Sequence, residues 1–260
     1  MSDELQIRIH ESGGANLIYL PGTHGDWTLN SGFRREIQTR VRLIEFTFPR
    51  TLLWSLDDYA QAIEEKLVER NIQSGWILAE SFGSQVTWAM QKRTSKSFQP
   101  HGIILAGGFV RHPIIGSVQM ARHLTRTIPL WLLQPVLRAY AIYARIRESD
   151  SPEIRAALHE FVQRRTKDDL LAAAHRLELI TTNFPQETVR MCRVPTFYLT
   201  GFIDPIVPWP FVAPWLKNNC PGFREWKMIW KSDHHVLGAS KESAEQILKW
   251  MNQNKPAAHS

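Results

Sequence analysis

Three side chains in this sequence, Ser81, Asp204 and His234, are of the types that together carry out nucleophilic catalysis, and they occur in that order. A serine hydroxyl is a poor nucleophile until a base takes its proton. An imidazole, with an ordinary pKa of about 6.5, can do so at neutral pH, and a carboxylate fixes which ring nitrogen carries the remaining hydrogen. No metal or cofactor is required. Ser81 lies in Ala79-Glu-Ser-Phe-Gly83, where the apolar run Trp76-Ile-Leu-Ala79 stops and a helical pattern begins. Small residues two before and two after the serine let a strand and a helix approach closely around a sharp turn. The same five residues also fit a serine that caps a helix after a core strand.

The elements around these residues must bring them together. Val194-Pro-Thr-Phe-Tyr-Leu-Thr200 reads as a buried strand running into Gly201-Phe-Ile-Asp204, and Phe223-Arg-Glu-Trp-Lys-Met-Ile-Trp230 as one running into Asp233-His234-His235. Asn16-Leu-Ile-Tyr-Leu20 reads as a strand entering Pro21-Gly-Thr-His-Gly-Asp26. That loop is either a plain glycine turn or a site where the Thr23 backbone N–H faces an oxyanion, with Phe82, the residue after the serine, supplying the second N–H. Leu5-Gln-Ile-Arg-Ile9 alternates like an edge strand, 41–48 and 101–108 read as further strands, and 33–38, 55–67 and 240–252 as helices, the second opened by a capping box at Ser55. Strands alternating with helices predict an α/β class with a mostly parallel sheet, and in such sheets ligands sit at the carboxyl ends of the strands. Thr23, Ser81, Asp204 and His234 all follow predicted strands, so they should share one edge.

Between 109 and about 190 no strand pattern appears, and Pro113, Pro129, Pro135, Pro152 and Pro185 break the stretch into helices. The expected organisation is a core of 1–108 and 191–260 with a helical cap, 109–190, inserted between sheet strands. Ile128-Pro-Leu-Trp-Leu-Leu133 is too apolar for a solvated helix, which predicts that Trp131 and Leu132 face the core and line the substrate pocket. His24, beside the expected oxyanion donor, is a further pocket candidate, although a hydrogen bond that stabilises its own loop explains it more simply. Glu80 is read as structural, and it needs a partner if buried.

Composition narrows the class. The 260 residues are 43% hydrophobic, enough for one well-buried domain with an insertion. The start Met1-Ser-Asp-Glu-Leu-Gln does not read as a signal peptide, no stretch reads as a membrane span, and Cys192 and Cys220 have no metal-ligand or disulfide spacing. A cytoplasmic location is expected. The net charge of +6 comes without a basic run or nucleic-acid motif, so nucleic acid is not expected as a partner.

With these motifs in hand, the sequence resembles the α/β-hydrolase fold family. Leu20-Pro-Gly-Thr-His-Gly is similar to its oxyanion loop, Ala79-Glu-Ser-Phe-Gly83 to its nucleophile elbow, Gly201-Phe-Ile-Asp204 to its acid turn and Asp233-His234-His-Val-Leu to its histidine loop. The elbow is most similar to that of uncharacterised bacterial hydrolases reading Ala-Glu-Ser-Phe. Ala79 replaces the usual glycine, Asp233 stands where glycine is more frequent, and one or two edge strands of the full fold should be missing. The resemblance implies a serine hydrolase acting on a small-molecule carboxylic ester or thioester through Ser81, His234 and Asp204. It also leaves carbon–carbon bond hydrolysis, amide hydrolysis and acyl transfer open. The insertion holds twelve Lys/Arg and eight Asp/Glu, 12 − 8 = +4, so a second reading is an acyl-carrier-protein or coenzyme A ester hydrolase docking on a basic cap. A third is a non-catalytic binding protein of this fold.

Overall fold

Seven strands form one sheet in the order β1-β3-β2-β4-β5-β6-β7, where β1 is Gln6–His10, β2 Asn16–Leu20, β3 Arg42–Thr47, β4 Ser74–Glu80, β5 Gln99–Ala106, β6 Thr196–Gly201 and β7 Phe223–Ile229. All neighbours run parallel except β1, which pairs antiparallel with β3 at one edge. The structure is a computed structural model that describes residues 4–93, 97–129, 131, 132, 135, 139, 142, 159–162 and 165–254.

The central strands are buried on both faces, so their sequences are continuous apolar runs, and side chains from alternate positions fill two cores. Ile18, Leu20, Ile77, Ala79, Ile103 and Leu105 face one core, shared with α2 (Leu56–Glu69) and α3 (Gly83–Lys92). Leu17, Tyr19, Trp76, Leu78, Ile104 and Phe197 face the other, shared with α1 (Ser31–Ile37) and the C-terminal helix. In that second layer Phe197 lies between Trp76 and Trp250, with ring centroids 5.8 and 5.0 Å away. Burying each large ring contributes on the order of 2 kcal/mol. The capping box at Ser55 is present, with the Ser55 hydroxyl accepting from the Asp58 N–H and the Asp58 carboxylate from the Ser55 N–H.

Between β5 and β6 the described residues are helical where they are regular: α4 is Ile115–Thr127, α5 Lys167–Thr182 and α6 Gln186–Met191. α4 packs along α5 and buries only Val118. Trp131 and Leu132 do not face the core. They are 72% and 50% exposed, which corrects the expectation drawn from their apolar run. Helix α4 ends at Thr127, two residues ahead of Pro129. Leu130, Leu133, Val136, Leu137, Arg138, Arg145 and Arg147 lie outside the described residues.

Two helices complete the chain, α7 (Trp209–Asn219) and α8 (Ser240–Gln253). Sequence reading misses α7, because Pro210, Pro214 and three aromatic residues obscure its period. Pro210 sits in the first turn, where its missing N–H costs no intrahelical hydrogen bond. Trp209 packs on Trp226 at 5.3 Å, whereas Phe211 points to solvent.

Candidate active site

The parallel register sets the site. Ala79 lies opposite Leu20 on one side and Leu105 on the other, and Ala106 lies opposite Leu199. The carboxyl ends of β2, β4, β5 and β6 therefore stop at one edge, and the loops leaving them converge.

Ser81 follows β4 directly and is held at φ +46°, a left-handed conformation that costs a serine roughly 1–2 kcal/mol. The turn is over-determined by its surroundings. The Ser81 N–H donates to the Ala106 carbonyl at 3.0 Å, and the Ser81 carbonyl accepts from Ser84 N–H and Oγ. A Cβ on Gly83 would lie 2.4 Å from the Leu20 carbonyl oxygen, so only glycine lets α3 leave so close to β2. Ala79, fully buried, needs no glycine in its place.

His234 stands between the serine and the acid. Its Nε2 is 2.9 Å from Ser81 Oγ and its Nδ1 is 2.9 Å from Asp204 Oδ2. The other Asp204 oxygen accepts from the Ile206 and Val207 N–H groups at 2.9 and 2.8 Å. A carboxylate fixed in this way accepts a hydrogen from Nδ1 and leaves Nε2 of the neutral ring to accept the Ser81 hydroxyl hydrogen. Gly107, at φ +57°, passes close beneath the ring, and a Cβ there would lie 2.8 Å from the His234 carbonyl oxygen. The structure thus brings together the three residues that the sequence singles out and leaves His235 out of the chain of bonds.

His235 faces the opposite way. Its Nδ1 is 2.6 Å from Glu80 Oε1 and its Nε2 is 3.2 Å from the Leu29 carbonyl oxygen. With an acceptor at each nitrogen, both are satisfied only by the doubly protonated ring. The second Glu80 oxygen accepts from the Tyr19 hydroxyl. Burial alone would raise the Glu80 pKa, but the charge and hydrogen bond of His235 and the Tyr19 hydroxyl outweigh it and hold the group at about 2. Glu80 therefore has the partner its burial demands, in a pair behind the serine that sequence reading did not find.

A cavity of about 330 Å³ opens over the serine, lined by Thr23, His24, Leu29, Phe161, Ile206 and His234 among others. Thr23 and His24 line it; Trp131 and Leu132 are not among its lining residues, and Phe161 is the described insertion residue on this wall. His24 donates from Nε2 to the Asp26 carbonyl at 2.8 Å, a bond within its own loop, and burial pushes its pKa down against the pull of Glu80 and Asp26. The Phe82 ring is buried in the core, so only its backbone is placed to serve the site. His112, which the sequence leaves without a role, is buried at the start of the insertion, where its ring edge meets Phe109 at 5.1 Å.

The sequence matches no family model and no curated protein. Solved structures do resemble it. An esterase from Exiguobacterium antarcticum superposes with a TM-score of 0.74 at 14% identity, covering 95% of both chains. An esterase from Thermogutta terrifontis gives 0.74 at 15% identity, over 97% of this chain and 94% of that one. An enol-lactonase from Burkholderia xenovorans gives 0.75 at 13%, over 95% and 96%. At such identities the likeness is one of fold, and this chain has the α/β-hydrolase fold, a mostly parallel sheet flanked by helices.

Proposed function

We propose that the protein is a serine hydrolase that cleaves a carboxylic ester or thioester of a small molecule through an acyl-enzyme on Ser81. The observation that carries this reading is the continuous hydrogen-bonded line from Ser81 Oγ through His234 to Asp204, open at its serine end to a cavity. In the proposed reaction Ser81 Oγ attacks the substrate carbonyl carbon as Nε2 of His234 takes its proton. The tetrahedral adduct collapses when that proton passes to the leaving alcohol or thiol. Water, deprotonated by the same nitrogen, then releases the acid and restores Ser81.

The developing oxyanion would be received by the backbone N–H groups of Thr23 and Phe82, neither of which has an acceptor among the described residues. Leu29, Phe161, Pro205 and Ile206 give the cavity apolar walls suited to a short acyl or aromatic group. We read residues 109–190 as a cap over this site, a reading supported by Phe161 on the cavity wall. The carrier-protein alternative draws less support. Of the basic residues in the insertion, Arg122 is bonded to Glu178, Arg165 to Asp26 and Arg176 to backbone carbonyls, and Arg111 lies over Phe184, so these are not a free basic surface.

The test is labelling with a fluorophosphonate probe alongside turnover of nitrophenyl esters of increasing acyl length. Labelling and turnover lost together in Ser81→Ala support the reading. Turnover that survives in that variant refutes it, and a wild-type protein that is neither labelled nor active favours the non-catalytic alternative. Among the described residues no helix is long and apolar enough to cross a membrane.

A further inference from the structure

We infer that Arg165 and Arg176, on the limb by which the insertion returns to the sheet, are positioning residues that hold loop 22–26 in the shape an oxyanion hole requires. The inference rests on the hydrolase reading above.

Arg176, on α5, is 2% exposed, and among the described residues it makes no ion pair. A guanidinium so buried is costly unless its donors are satisfied. Here both terminal nitrogens are spent on backbone: Nη1 donates to the Thr23 carbonyl at 3.0 Å and Nη2 to the Pro49 carbonyl at 2.8 Å, while Nε has no partner among the described residues. Gly25, at φ +82°, is shaped around it, since a Cβ there would lie 2.4 Å from Nη1. Arg165 takes the next carbonyl. Its Nη1 donates to His24 O at 3.3 Å, and its Nη2 pairs with Asp26 Oδ2 at 2.9 Å.

Together these contacts fix the direction of successive peptides. The Gly22 carbonyl accepts from the Gly25 N–H at 3.0 Å. In a trans peptide the N–H points opposite to the C=O, so the Thr23 N–H is turned the other way. The carbonyls of Thr23 and His24 are then drawn to the two arginines, and each peptide of the turn has its direction set. A loop containing Gly22 and Gly25 has little conformational preference of its own. Without the arginines, rotation of a peptide could replace the N–H facing the serine with a carbonyl, which would repel an oxyanion.

The clamp also reaches the cavity. Arg165 lies over the ring of Phe161, 4.2 Å from its centroid, and Phe161 lines the wall facing Ser81. An acyl group pressed against Phe161 therefore bears on the residue that holds the oxyanion loop. The coupling runs from acyl group to ring to guanidinium to loop.

The experiment measures kcat, KM and affinity for an arylboronic acid, which forms a tetrahedral adduct on the serine, in Arg176→Met, Arg165→Met and Asp26→Asn. The expected result is a kcat reduced roughly tenfold to a hundredfold, KM within about twofold, and boronate affinity falling in step with kcat. Partial recovery is expected in Arg165→Lys, which keeps the charge opposite Asp26. Should Arg176→Met fail to fold, Arg165→Met and Asp26→Asn carry the test, because both retain Arg176. Folded variants with wild-type kcat and boronate affinity would overturn the inference while leaving the hydrolase reading intact. A wild-type protein that turns over no ester and takes no fluorophosphonate would remove both.

Discussion

The Glu80 carboxylate lies 2.6 Å from Nδ1 of His235, so the residue before the serine is tied to the residue after the histidine that faces that serine. Two neighbouring pairs, Ser81 with His234 and Glu80 with His235, thus join the elbow to the histidine loop side by side. Both pairs border the cavity, but Ser81 with His234 continues to Asp204, whereas Glu80 with His235 ties the two loops together.

This division predicts different phenotypes for adjacent histidines. His234→Ala should lower turnover of a nitrophenyl ester by several orders of magnitude with little change in melting temperature. His235→Ala should cost on the order of 3 kcal/mol in stability, because it leaves the Glu80 carboxylate buried without its cation. Thermal unfolding and kinetics on both variants would check this, and a larger rate loss in His235→Ala would reverse the assignment.

Asp204→Asn should impair turnover by up to about 10⁴-fold while preserving the fold. An amide can present its N–H to Nδ1, which would place the ring hydrogen on Nε2 and leave no acceptor for the Ser81 hydroxyl. Fluorophosphonate labelling should slow in parallel; a labelling rate equal to wild type would show that Asp204 does not orient the ring.

Stability should fall in acid. The Glu45 carboxyl, against the upward push of burial, is held at about 2 by His10, Arg34 and Arg8, just as His235 and Tyr19 hold Glu80 at about 2. Both folded-state values lie below the ordinary 4.5. Their contribution is therefore fully present above that value and lost as pH falls from there toward 2. Urea unfolding from pH 6 to pH 3 should show a steep loss, and Glu80→Gln should flatten the slope. An unchanged slope in that variant would disprove the link.

Gly107→Ala places a methyl where the His234 carbonyl stands 2.8 Å away, at φ +57°. The strain amounts to roughly 1–2 kcal/mol. Displacement of the ring should reduce kcat further than that loss of stability implies, which paired kinetics and denaturation would measure.

Acyl-chain preference should follow Phe161 rather than Trp131. Phe161→Ala enlarges the cavity over Ser81 and should shift preference toward longer esters. Trp131→Ala, at a side chain 72% exposed, should change stability by about 0.5 kcal/mol or less and leave that preference alone. A selective shift in the second variant would restore Trp131 to the pocket.

Much of this protein is legible in its sequence because the signals are local. Continuous apolar runs mark strands buried on both faces, small residues at 79 and 83 mark a turn that a larger side chain would block, and Ser81, Asp204 and His234 each stand just past a strand. Parallel pairing then sends them to one edge without further information. What only the tertiary structure decides depends on contacts between distant segments. The likeness of Asp233-His234-His-Val-Leu to a histidine loop favours His234, but what holds the neighbouring ring away from the serine is Glu80 and Leu29, which capture His235 from the other side. The apolar run at Trp131 reads as buried, yet burial requires an open place in the core, and in the fold Trp131 is 72% exposed. Arg165 and Arg176 read as ordinary charges on a helical insertion. Their partners, the carbonyls of Thr23 and His24, are more than a hundred residues away in the chain, and backbone carbonyls carry no signature in the side-chain sequence.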